Sequence, residues 1–264
     1  MIAVMLAAGV GSRLFGAGSE QPPKVLLRFD GKTLLQRHVE TLLAAGIERL
    51  AVVVGHRKDD VIDALAATAP SGFASCIENP AFREGSVVSM WSARDAFTSG
   101  EDVLFMDADV LYHPEVLFRL VRAEGENCFL FDRQMDADED PVRLCVRGGE
   151  PVDIGKGIVG AYDLVGEWPG FLKLAPRTGS HIAWLAQGFA EGKRRDAPYE
   201  DVLRDALNQA APGTFAYEDI SGLPWIEIDF PGDLTRARGE TLPRIRAYRV
   251  GAGAESRTAG GQTR

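Results

Sequence analysis

The sequence predicts an α/β fold with a mostly parallel sheet covered by helices on both faces. Two patterns point there. Short, continuously apolar runs recur, as strands buried on both faces require, and they alternate with segments of helical apolar spacing. The length of 264 residues suits one large α/β domain or two small ones.

Ile2–Leu6 is the first such run, ended by Ala-Ala-Gly. Thr33–Ala45 places Leu34, Leu35, His38 and Leu42 at helical spacing and stops at Gly46. Leu50–Val54 reads as a second buried strand, and Lys58–Ala67 as a helix with Val61, Ile62 and Leu65 on one face. Ala74–Ile77 is a short strand, Ser86–Phe97 a helix, and Val103–Met106 a strand running into Asp-Ala-Asp. Pro114–Ala123 begins with proline, as helices often do. Beyond this point Asn127–Phe131, Pro141–Arg147 and Pro151–Ile154 read as short strands, with "RGGE" as a hairpin turn. Helices return at Gly179–Ala190 and Tyr199–Gln209, late strands at Thr214–Glu218 and Trp225–Ile228, and Gly232–Ala247 closes as a helix. The tail "GAGAESRTAGGQTR" is small and polar and is expected to be disordered. Neither an internal repeat nor a break in composition divides the chain, so one domain is expected over residues 1–248, with 249–264 as its tail.

Composition narrows the function. A net charge of −9 argues against a nucleic-acid-binding surface but not against one bound nucleotide. Cys76, Cys128 and Cys145 are odd in number, far apart and set in or near apolar runs, which fits buried reduced thiols. His38, His56, His113 and His181 lack metal-ligand spacing, so no zinc site is expected. Met1 leads straight into a strand-like run without a basic leader, and no apolar stretch has the length to cross a bilayer. A cytoplasmic protein without membrane partners is the expectation.

The opening "MIAVMLAAGVGSRLFGAGSEQPPKVLL" carries the strongest chemical signal. It lacks the Gly-Lys pair of the P-loop, and Leu14 stands where the dinucleotide fingerprint needs its last glycine. What remains is a strand, Gly9-x-Gly11, Ser12, Arg13, and Lys24 across a loop. Glycines let backbone N–H groups approach a phosphate. An arginine can grip phosphate oxygens with two bonds, and a lysine acts as a point charge. Taken singly, these residues describe a strand-to-loop turn with solvated cations; their order favours a phosphate grip.

"LAAGVGSRL" followed by "PPKVLL" resembles the signature of nucleotidyltransferases related to the sugar-phosphate pyrophosphorylases. "NPAFREGSVVSMWSA", "VLFMDADVLYHPEVL" and "LPWIEIDFPGDLTRA" resemble the cytidylyltransferase branch that activates phosphocholine and aminoalkylphosphonates. The similarity spans roughly Met1 to Ala237, with a loop, "FGAGSEQPP", longer than in many relatives. The resemblance implies a three-layer, Rossmann-like nucleotidyltransferase fold of the GT-A type with a mixed, mostly parallel sheet. It implies a nucleotide-binding part over about 1–126 and an acceptor-binding part over about 127–248.

Site residues follow from the same resemblance. Lys24 would contact the α-phosphate and the acceptor, and Arg13 the departing pyrophosphate. Leu6, Ala7, Ala8, Gly9, Gly11 and Ser12 would form the nucleotide loop, with the backbone of Ala7–Gly9 under the base. Ser86 and Ser89 are candidates for base or ribose contacts, against the plainer readings of a helix cap and a helix-face hydroxyl. Asp107 and Asp109 end a predicted central strand, where open α/β sheets bind ligands. By itself, Asp-Ala-Asp has a plainer reading as an acidic loop that caps the helix at Pro114. The resemblance makes Asp109 and Asp229 the Mg²⁺ ligands, and Asp107 a group that shapes the site or contacts ribose. Magnesium takes oxygen ligands and would offset the charge of a nucleoside triphosphate.

For the acceptor, Trp168, Tyr199 and Trp225 lie near Glu167, Glu200, Asp201 and Glu227 in sequence. Aromatic faces beside carboxylates suit an ammonium group. Trp168, Tyr199 and Glu227 are the acceptor candidates, whereas Trp225 reads as core. The expected reaction is cytidylyl transfer from CTP to a small phosphate or phosphonate such as phosphocholine or 2-aminoethylphosphonate. Two alternatives stay open: a sugar-1-phosphate or inositol-phosphate acceptor, prompted by "RLCVRGGEPVDIGKGI", and a non-catalytic nucleotide-binding relative.

Overall fold

The computed structural model describes residues 1–16, 21–135 and 141–249. The tail expected to be disordered lies, from residue 250 onward, outside the described residues. The first half runs β1 (Ile2–Ala7), α1 (Ser12–Phe15), a 3-10 turn at Lys24–Leu26, β2 (Arg28–Phe29), β3 (Lys32–Thr33), α2 (Leu34–Ala44), β4 (Arg49–Val54), α3 (Lys58–Thr68) and β5 (Ala74–Glu78). It continues through α4 (Ser86–Ser92), α5 (Arg94–Phe97), β6 (Val103–Asp107), β7 (Val110–Tyr112) and α6 (Glu115–Arg122). The second half runs β8 (Cys128–Phe131), β9 (Arg143–Arg147), β10 (Glu150–Gly155), β11 (Leu164–Glu167), β12 (Phe171–Leu174), α7 (Pro176–Glu191) and α8 (Glu200–Gln209). It ends with β13 (Ala216–Asp219), β14 (Trp225–Glu227), α9 (Pro231–Arg236) and α10 (Leu242–Ala247).

Seven strands form the central sheet in the order β13-β8-β12-β6-β1-β4-β5. All neighbours are parallel except β12, which is antiparallel to both β6 and β8. The sheet is therefore mixed and mostly parallel, as expected. Along β1, Ile2 and Val4 join the core under α4 and α7, while Ala3, Met5 and Ala7 join the core under α2 and α3. This two-sided burial is why β1 reads as apolar throughout. A three-stranded sheet, β10-β9-β11, and the pair β14-β7 stand apart from the main sheet.

Strands β2, β3, β7, β11 and β12 are missing from the sequence reading. In β12 the lysine in Phe-Leu-Lys-Leu hides the strand. Lys173 is only 9% exposed, because its ammonium donates to the Ala123 carbonyl where α6 ends, and a helix C-terminus favours a cation. The single helix expected over 86–97 breaks at Ala93. Just before the break, the Ser92 hydroxyl donates to the Val88 carbonyl, a back-bond that bends helices. The closing helix contains a π turn at Ala237–Thr241, which gives Pro243 room where an α turn would clash. The three thiols are unpaired; Cys128 and Cys145 are buried and Cys76 half-buried. Among the described residues no helix is long and apolar enough to cross a membrane.

Candidate functional site

At the C-terminal edge of β1 and β6 lies a cleft of about 330 Å³. Its walls bring together Leu6, Ala7, Ala8, Gly9, Gly11, Ser12, Arg13, Lys24, Ser86, Ser89, Asp107, Asp109, Tyr199, Glu227 and Asp229. The sequence analysis had singled out each of these. Phe82 and Glu84 also line the cleft and had been missed; so does Glu200, which had been noted beside Tyr199 but not chosen as a site residue. The signal for the first two was the stretch "NPAFREGSVVSMW", from which only the serines had been taken.

The opening loop turns at Gly11, whose φ of 68° is the left-handed conformation that glycine accepts most readily. The Gly11 carbonyl then accepts from Leu14 and Phe15 N–H, starting α1. A Cβ on Gly11 would press on the Lys24 stem at 3.2 Å, so the glycine also makes room for that side chain. Lys24 crosses it to place Nζ 2.8 Å from Asp109 Oδ2 and 2.5 Å from Asp229 Oδ1. Arg13 reaches the other Asp229 oxygen at 2.8 Å and lies over the Phe230 ring. Burial alone would lower the Lys24 pKa, but the charges of Asp109 and Asp229 outweigh it and hold the ammonium protonated.

The acids are positioned by backbone bonds. Asp107 N–H donates to the Gly170 carbonyl at 3.1 Å, and Ile228 N–H to the Asp109 carbonyl at 3.0 Å. The second bond continues the β7–β14 pairing past Val110 and Glu227, so residues far apart in sequence face one point. Asp233 receives the N–H groups of Asp229 and Phe230 at 2.8 and 2.6 Å and is paired with Arg236. This explains the spacing in "DFPGD". The first turn of α6 does not use the Asp-Ala-Asp acids as caps; Glu115 N–H goes to His113 Nδ1 instead.

Carboxylate oxygens of Asp109, Glu227 and Asp229 all lie within 4.8 Å of one another. This all-oxygen set is the kind that hard divalent cations use. Burial, then the charges of Asp109, Asp229 and Asp107, holds Glu227 well above the usual carboxylate range. Glu227 therefore belongs to the candidate metal cluster and also lines the neighbouring groove. Burial, then the Asp109 charge, likewise raises Asp107, whose carboxylate accepts the Tyr199 hydroxyl proton in a hydrogen bond.

The two serines line the cleft. Ser86 Oγ accepts from Tyr199 N–H at 2.9 Å, and Ser89 Oγ accepts from Asn79 Nδ2 at 2.9 Å. With an oxygen already accepting, each hydroxyl keeps its hydrogen for another partner. Glu200 Oε2 is buried and has no hydrogen-bond partner among the described residues, and burial raises the pKa of this carboxyl.

The aromatic expectations need correction. Trp168 is 2% exposed, donates Nε1–H to the Phe171 carbonyl at 2.9 Å, and packs edge-on against Phe129 and Tyr199. It is a core residue and does not face the cleft. Tyr199 borders the cleft, but its ring is packed on Phe105 and its hydroxyl is taken by Asp107. Trp225, read as core, is half-buried and lines a second groove of about 400 Å³. That groove shares Glu227 with the cleft and contains Asp132, Glu167 and Glu240 beside Arg236 and Arg244. Trp225 Nε1–H donates to Asp132 Oδ2 at 2.7 Å, which fixes the ring.

A sequence profile of the MobA-like NTP transferase domain matches residues 3–158, over half of the chain. The chain belongs to this family. It is 35% identical over 235 residues to a bifunctional IPC transferase and DIPP synthase from Rubrobacter xylanophilus, covering 88% of this chain and 50% of that one. It is 30% identical over 260 residues to a CMP-5'-(3-aminopropyl)phosphonate synthase from Streptomyces rubellomurinus, covering 94% of this chain and 40% of that one. The chain thus spans half or less of these two relatives' lengths. The solved inositol-1-phosphate CTP transferase from T. maritima superposes with a TM-score of 0.73 at 23% identity, covering 93% of this chain and 96% of its own. That likeness carries the nucleotidyltransferase fold.

Proposed function

We propose that this chain transfers a cytidylyl group from CTP to a small phosphate or phosphonate and releases pyrophosphate. The observation that carries the reading is the convergence of Arg13 and Lys24 on the Asp109–Glu227–Asp229 cluster beside the glycine loop. The donor phosphates would lie along the loop, with residues 1–126 supplying most of their contacts. The two serine hydroxyls match the adjacent acceptors O2 and N3 of cytosine; uracil presents an N–H at the second position.

The acceptor oxygen is already anionic, so the reaction needs no general base. It attacks the α-phosphorus in line; a new P–O bond forms as the bond to the pyrophosphate oxygen breaks, and the electron pair leaves with pyrophosphate. Lys24 neutralises charge on the α-phosphate, and Arg13 holds the leaving group. Asp109, Glu227 and Asp229 would hold Mg²⁺, which supplies positive charge to the phosphates when bound.

The second groove is our site for the acceptor's head group. Its Trp225 face beside Asp132, Glu167 and Glu227 suits an ammonium, and it replaces the Trp168 wall of the sequence reading. The aminopropylphosphonate relative supports this choice. Arg236 and Arg244 among those acids would equally suit the hydroxyls of an inositol phosphate, a second reading favoured by the fold neighbour.

Pyrophosphate release should be measured with CTP, UTP, ATP and GTP against phosphocholine, 2-aminoethylphosphonate, inositol 1-phosphate and glucose 1-phosphate. The amine acceptors with CTP are expected to win. A win for inositol phosphate promotes the second reading, and no release with any pair leaves a non-catalytic nucleotide binder.

A further inference from the structure

His38 lies on α2, behind the cleft, and is 0% exposed. Its Nε2 stands 3.0 Å from the Ala108 carbonyl, and its Nδ1 3.2 Å from the Tyr112 hydroxyl. A carbonyl oxygen can only accept, so Nε2 carries the proton. In a neutral ring Nδ1 is then an acceptor, and Tyr112 O–H donates to it. Burial pushes the His38 pKa down to about 4, which keeps the ring neutral under ordinary assay conditions. Tyr112 is itself held edge-on against Phe171, so the donor has a fixed place.

Ala108 separates the two acids of the Asp-Ala-Asp segment. The backbone before it is tied by Asp107 N–H to Gly170, and the backbone after it by Ile228 N–H to the Asp109 carbonyl. Between these ties, His38 is the side chain that holds the Ala108 carbonyl. If that bond were lost, the peptide joining Ala108 to Asp109 could rotate, and the Asp109 carboxylate would turn with it.

We propose that His38 is a positioning residue: by fixing the Ala108 carbonyl it aims the Asp109 carboxylate at the cation site shared with Glu227 and Asp229. The inference rests on reading Asp109 as a metal ligand. Partners one step behind a metal ligand typically change affinity by about 10- to 100-fold when removed.

The test is Mn²⁺ binding to the full chain, followed by electron paramagnetic resonance of the free ion, with circular dichroism as the check on folding. His38→Leu leaves the Ala108 carbonyl unpaired and should weaken Mn²⁺ binding by about tenfold or more. His38→Gln keeps an N–H donor and should return affinity to within about threefold of wild type. Tyr112→Phe removes only the outer link and should weaken binding by about threefold. A folded His38→Leu protein that binds Mn²⁺ like wild type overturns the proposal, as does a glutamine variant no better than leucine. If His38→Leu does not fold, unchanged affinity in Tyr112→Phe overturns it. A wild-type chain that binds no Mn²⁺ sinks both this inference and the metal reading. One that binds Mn²⁺ but releases no pyrophosphate sinks only the proposed reaction, and the variants still judge His38.

Discussion

Replacing Lys24 with methionine removes the charge at the centre of the cleft while keeping a stem to pack over Gly11. The Lys24 side chain is 14% exposed, and its partners Asp109 and Asp229 are 22% and 10% exposed. Breaking a buried pair by deleting one partner costs about 3–5 kcal/mol. Arg13 remains on Asp229 and Glu227 can take up a proton, so the lower end, about 3 kcal/mol, is expected. In a domain of this size that lowers Tm by about 6 °C or somewhat more. The raised pKa of Lys24 means its contribution is complete below the unfolded value of 10.5 and fades only above it. The loss is therefore fully visible at pH 7.5. Glu227, which Lys24 now draws downward, should rise further in the variant. An acid that holds its proton more tightly when folded loses stability as pH rises, so the variant's deficit should shrink toward pH 5. Added Mg²⁺ supplies the missing positive charge and should raise Tm more in the variant than in wild type. Turnover should fall by about 30- to 1,000-fold, the equivalent of 2–4 kcal/mol of transition-state stabilisation. Scanning calorimetry with and without Mg²⁺, beside pyrophosphate-release kinetics, tests all of this. Wild-type turnover, or an unchanged Tm with no extra Mg²⁺ response, would refute the reasoning.

Asp109→Asn and Asp229→Asn should each reduce Mg²⁺-dependent pyrophosphate release by about 100-fold while circular dichroism stays native, since electrostatic groups at a reacting centre are worth that much; wild-type magnesium dependence in either variant removes that residue from the metal set. Tyr199→Phe deprives Asp107 of a donor that lowers its pKa, so the acid limb of the pH–rate profile should move to higher pH. An unmoved limb would mean that Asp107 does not titrate in the reaction. Trp168→Ala should cost about 3–5 kcal/mol in denaturant unfolding, because it empties a core site. Trp225→Ala should instead raise the acceptor KM while sparing the KM for CTP, and equal effects on both constants would count against the second groove.

Much of this molecule is written locally. β1, β4 and β6 are continuous apolar runs because both faces of the sheet are covered, and such runs announce themselves without knowledge of the partner strands. Gly11, Arg13 and Lys24 follow β1 within one stretch, so their association is a short-range fact. Asp107 and Asp109 are legible for the same reason, as polar groups that abruptly end an apolar strand. The resemblance had paired Asp229 with Asp109, but only the tertiary structure could add Glu227 and show what brings them together: a bond between the Ile228 N–H and the Asp109 carbonyl across more than a hundred residues. It also decided between two tryptophans that look alike in sequence. Trp168 has a carbonyl for its N–H inside the core, while Trp225 has Asp132 at the rim of a groove. Burial of an amphipathic ring depends on where its one polar atom finds a partner, which lies three residues on for Trp168 but on a distant segment for Trp225. The same holds for Lys173 in β12 and for His38: each is a polar residue buried on the strength of a distant carbonyl, a relation no local pattern records.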